Sequence, residues 1–65
     1  MKTLHLLMGP NAEQAVREQL QPGDQWVSFG RACTLDGAPG HQYGIELDAA
    51  ALVALMGTFE RIETW

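Results

Sequence analysis

The sequence predicts an α+β fold built as a single domain over residues 1–65. Three observations lead there. Turn-forming clusters at Gly9-Pro10-Asn11, Pro22-Gly23-Asp24 and Leu35-Asp36-Gly37-Ala38-Pro39-Gly40 cut the chain into short pieces. The pieces between them alternate between the period of two expected of strands and the 3.6-residue spacing of helices. Asn11 and Asp48, both good helix caps, open the two segments with helical spacing, so the order reads strand, helix, strand, strand, helix, strand.

From Lys2 to Met8, Leu4, Leu6 and Met8 oppose Thr3, His5 and Leu7, the pattern of a strand buried on one face. Asn11 then N-caps a helix, and Gln14 three residues later completes a capping-box pattern. Ala12, Ala15, Val16 and Leu20 form its apolar stripe, with Glu13 and Arg17 four apart on the wet side. Gln25 to Leu35 is rich in β-formers, with Val27, Phe29, Cys33 and Leu35 opposite Trp26, Ser28, Gly30 and Ala32. Arg31 falls in the apolar set, which implies a bulge near Gly30 or a place at a rim. His41, Tyr43, Ile45 and Leu47 alternate with Gln42, Gly44 and Glu46 as a third strand. The Asp-Gly and Pro-Gly pairs before it make an antiparallel hairpin the natural connection. Asp48 caps the second helix, Ala49 to Met56, whose sticky edge is Leu52, Leu55 and Met56, and Gly57 ends it. Thr58 to Trp65, with Phe59, Ile62 and Trp65, reads as a terminal strand.

Two strand–helix–strand units joined by a hairpin predict a small ferredoxin-like βαββαβ sandwich. Its four-stranded antiparallel sheet carries both helices on one face, and right-handed crossovers favour the strand order 4-1-3-2. The expected core is Leu4, Leu6, Val16, Leu20, Phe29, Ile45, Leu52 and Leu55. An open sheet of two or three strands with two helices is the fallback.

Size and composition narrow the function classes. A chain of 65 residues stands near the lower limit for folding without a staple, burying only about 60% of its unfolded surface. The lone Cys33 forms no internal disulfide, and no Cys/His cluster offers a metal site, so no cofactor is expected. Dimerisation is the remaining way to add buried area, which leaves monomer and homodimer both open. With a free thiol, no export signal and no apolar run near the ~20 residues of a membrane span, the expectation is a complete, cytoplasmic gene product with no membrane contact. Eight acidic against four basic residues give a net charge of −4. The basic residues Lys2, Arg17, Arg31 and Arg61 are scattered, so direct binding to nucleic acid through phosphates is not expected. An acidic surface fits a basic protein, although the same charge also serves solubility.

Catalytic constellations are thin. The loop Met8-Gly9-Pro10-Asn11 lacks the thiolates of a metal carrier, and Gln42, Gly44 and Glu46 make no aromatic platform for RNA. Cys33 with His5, His41 and Asp36 has no pKa-lowering neighbour in view, so Cys33 reads as an inert packing residue. The Gly9-Pro10-Asn11 turn resembles a plain helix cap more than an anion site, because Pro10 removes a donor. The chain is therefore not expected to be an enzyme. Its candidate partner-binding residues are Asp24, Asp36, Glu46, Asp48, Glu60 and Glu63, with Trp26 or Trp65 as an anchor. Asp24, Asp36 and Asp48 also have local roles as turn or cap residues.

A small acidic chain without cofactor or catalytic equipment resembles the phage-encoded inhibitors, especially the anti-CRISPR proteins. The resemblance is one of class, resting on size, charge and the missing constellation, and it transfers no residue. It implies a non-enzymatic inhibitor that occupies the nucleic-acid groove of a basic protein, such as a Cas protein, in the manner of a DNA mimic. The alternative is a dimeric accessory or ligand-binding domain using an open sheet face with Trp26 and His5.

Overall fold

The computed structural model describes residues 2–30, 35 and 38–65. Its elements are β1 (Thr3–Leu7), α1 (Ala12–Arg17), β2 (Gln25–Ser28), β3 (Gly40–Gln42), α2 (Ala49–Met56) and β4 (Arg61–Thr64). The four strands form one sheet in the order β3-β2-β1-β4, and every neighbouring pair is parallel. This overturns the antiparallel ferredoxin-like sandwich. β2 rather than β3 lies beside β1, and no hairpin joins β2 to β3.

The correction has a physical cause in the stretch after Ser28. Phe29 to Leu35 was expected to extend a strand, leaving only a short hairpin loop. Instead β2 stops at Ser28 and β3 begins at Gly40, and because the two run parallel the chain must cross over between them instead of turning back. The third strand is likewise shorter than its alternation suggests. Gly44 takes a left-handed φ of 90°, and the carbonyl of Gln42 accepts the N–H groups of Ile45 and Glu46, so the chain turns instead of continuing. Ile45, expected in the core, is 76% exposed as a result.

The two helices lie on opposite faces of the sheet, not on one. Paired residues of parallel neighbours point the same way, so Leu6 with Val27, and Leu4 with Ile62, share a face. There they meet Leu52, Leu55 and Met56 of α2 together with Phe59 and Tyr43. On the other face Leu7 and Trp26 pack with Ala12 and Val16 of α1 and with Leu35. Right-handed crossovers account for this. The step from β1 to β2 moves one way across the sheet, and the step from β3 to β4 moves back, which places their helices on opposite sides. All-parallel sheets need cover on both faces, and β1 shows the consequence in Leu4, His5, Leu6 and Leu7, which are all buried.

Local chemistry supports the elements unevenly. Asp48 caps α2 as expected from its type, accepting from the Ala51 N–H at 2.8 Å. Asn11 makes no side-chain cap bond, so the expected capping box with Gln14 is absent and α1 stays short. Gly40 is demanded by packing. A Cβ there would come within 1.8 Å of the Trp26 indole, which lies across it. Trp26 Nε1 also donates to the Ala38 carbonyl at 3.0 Å, fixing the ring in that slot. Cys33, Arg31 and Asp36 lie outside the described residues.

Leu4 is fully buried whereas Leu52 is half-buried, so the two separate core from cover. Leu4→Ala is expected to cost about 2–5 kcal/mol in urea denaturation, and Leu52→Ala less than half as much. Gly40→Ala should destabilise at least as strongly as Leu4→Ala, because the added methyl would overlap the buried Trp26 indole and force it to shift.

Candidate functional site

The polar side chains brought together inside the protein come from three distant parts of the chain. His5 lies on β1, on the α1 face. Asp24 closes the Pro22-Gly23-Asp24 turn just before β2, where Gly23 adopts a left-handed φ of 92°. Trp65 follows β4. The Trp65 indole Nε1 lies 3.0 Å from His5 Nδ1, and His5 Nε2 lies 2.9 Å from Asp24 Oδ2. An indole N–H only donates, so Nδ1 must accept and the imidazole proton sits on Nε2, pointing at the carboxylate. The Trp65 ring also packs at a tilt against the imidazole, with centroids 5.9 Å apart.

Asp24 accepts more than the imidazole proton. The Thr3 N–H donates to Oδ1 at 3.0 Å, and the Gln21 N–H donates to Oδ2 at 3.0 Å. Both His5 and Asp24 are only 2% exposed. Burial pushes the Asp24 carboxyl upward. Its hydrogen bonds from His5, Thr3 and Gln21, with the attraction of the His5 ring, outweigh burial and hold it below the usual carboxylate range.

This arrangement is a clasp, not a reaction centre. A general base needs a free nitrogen within reach of a substrate proton, and both His5 nitrogens are occupied and screened from water. Ser28 Oγ, buried on the same face, is without a hydrogen-bond partner among the described residues, and His5 has no nitrogen left to activate it. The turn after β1 is similarly committed. The Met8 and Gly9 N–H groups donate to the Trp65 carbonyl at 2.9 and 2.8 Å, at the end of the sheet where doubly wound folds bind phosphates. Among the described residues no group of three or more His, Cys, Asp or Glu is placed to hold a metal ion, and no helix is long and apolar enough to cross a membrane.

The sequence-derived contact residues fall into three groups. Asp24 and Trp26 are buried, and their polar atoms are used within the fold. Glu63 pairs with Arg61 at 2.8 Å on the β4 edge, and Trp65 is half-buried on His5. Glu46, Asp48 and Glu60 are exposed, while Asp36 lies outside the described residues. Glu46 accepts from the Gln42 N–H at 3.2 Å, with His41 Nδ1 3.9 Å from its other oxygen. Glu46 and Asp48 precede α2 at the carboxyl end of the strands. Glu60 follows it at the opposite end, where its N–H donates to the Lys2 carbonyl. These three exposed carboxylates thus bracket α2 and do not form one cluster.

No protein-family model, curated protein or solved structure matches the chain.

The clasp makes acid stability testable. Because the folded carboxyl of Asp24 is held low, its contribution is present above the unfolded value near ~3.9 and is lost as pH falls through the folded one. Unfolding free energy should therefore fall as pH drops below about 4, and this slope should flatten in Asp24→Asn. At neutral pH the same variant should lose on the order of 3 kcal/mol, because its amide would face the His5 and Gln21 donors.

Proposed function

We propose that this chain is a non-enzymatic binding protein of the inhibitor kind, presenting carboxylates to a basic, nucleic-acid-handling protein in the cytoplasm. The observation that carries the reading is the division of its polar groups. The interior His, Asp and Trp groups are spent on one another and on backbone N–H groups, whereas Glu46, Asp48 and Glu60 stand exposed on a chain of net charge −4. The geometry shapes the contact. α2, about 12 Å long, stands between the two acidic ends, so the partner is met at two points and not along a continuous phosphate-like track. The alternative of a ligand-binding or dimeric domain using an open sheet face is not favoured, since His5 and Trp26 are covered.

A binding titration at two salt concentrations tests this, using the protein captured from the native host by the wild-type chain. Affinity should fall as salt rises, and Glu46→Lys and Glu60→Lys should each weaken binding about tenfold, the scale of one interfacial charge contact. Asp48→Asn, which keeps the cap acceptor, should have a smaller effect, and Glu18→Lys, just past the end of α1, should have none. Salt-independent affinity with no loss in these variants would reject the reading.

A further inference from the structure

We infer that the outward face of α2 is the docking element of this protein, received by an apolar groove with a basic rim on the partner. The inference rests on the binding role proposed above and adds the surface that performs it. All eight residues of α2 are apolar, yet none is fully buried. Leu52, Leu55 and Met56 cover the sheet. Ala49, Ala50, Val53, Ala54 and Gly57 fall on the opposite side and are exposed, Val53 by 68%. A surface helix ordinarily carries polar residues on that side. Ile45, in the turn that precedes α2, is a further large apolar side chain left exposed. Around Val53 the small residues leave room for another chain to approach the helix closely.

Charge and area decide the occupant. Glu46 and Asp48 stand at one end of this face and Glu60 at the other. A second copy would set these carboxylates against their own kind. A helix about 12 Å long, crossing its twin, would also bury far less than the ~800 Å² per partner of a standard interface. An anionic lipid surface is opposed by the same charges. A groove encloses the sides of the helix as well as its crest, and Lys or Arg along its rim would meet the acidic ends. A basic-rimmed apolar groove is the surface that complements both features at once.

Site-specific photo-cross-linking in the native host, with benzoylphenylalanine at position 53 and, as control, at the exposed position 19 in the turn after α1, tests the inference. The expected product is specific to position 53 and joins it to an apolar site bordered by Lys or Arg on another protein. Val53→Asp should then weaken binding of that protein at least tenfold while leaving the thermal midpoint of the free chain unchanged, since Val53 is largely exposed. Cross-links to a second copy or to lipid, no product above the control, or full affinity in Val53→Asp would overturn it. If Val53→Asp binds normally while Glu46→Lys and Glu60→Lys do not, the α2 inference fails alone. If position 53 links to an apolar site without basic residues, the basic rim inferred here fails together with the acidic reading.

Discussion

Asp24 sits where the start of β1, the start of β2 and the connection from α1 converge, and its carboxylate holds all three. The Thr3 N–H reaches it from β1, the Gln21 N–H from the connection, and the His5 imidazole from the α1 face of the sheet. Bonds to an ionised acceptor are stronger than neutral ones, and without it the buried His5 ring would be left with an unmet donor. His5 passes the connection on, because its second nitrogen receives the Trp65 indole at the far end of β4. The Trp65 carbonyl in turn takes the Met8 and Gly9 N–H groups beyond β1. Both neighbours of β1 are thereby tied to it by side chains as well as by the strand ladder. The charged interior that might have suggested chemistry is used to hold the sheet.

Parallel pairing imposes the rest of the architecture. With four short strands all running one way, each of the first three must be followed by a crossover, and so little chain remains that α1 has only six residues and α2 eight. Both faces then need cover from very small helices. α2 supplies apolar surface on its sheet side, and its composition leaves apolar surface outside as well. The fold itself does not use that outer face, and the partner groove proposed above would cover it.

The order of elements was legible in the sequence because its signals are local. The turn clusters, the Asp48 cap and the Gly57 boundary each lie within a few residues of what they control. Strand direction was not legible, since residues 29–35 carry β-formers and the Asp-Gly and Pro-Gly pairs point to a hairpin. One clue pointed the other way: Leu4, Leu6 and Leu7 put leucine on both sides of β1, which suits a central parallel strand more than a half-exposed one. The clasp was hidden for a different reason. Its members are separated by 19 and 60 positions, and Asp24 has a sufficient local role as a turn residue. Trp26 looked available as an anchor until Gly40 provided the slot beneath it. The α2 surface, by contrast, was visible as an unbroken apolar run from Ala49 to Met56, and only its exposure had to come from the structure.

A long-range proton–nitrogen NMR spectrum of the His5 ring at neutral pH examines the clasp most directly, because it reports which nitrogen bears the proton. The bonds described here require the proton on Nε2, an accepting Nδ1, and a Trp65 indole N–H protected from exchange with water. A proton on Nδ1, together with a freely exchanging Trp65 indole, would contradict the clasp and with it the tie between β1, β2 and β4.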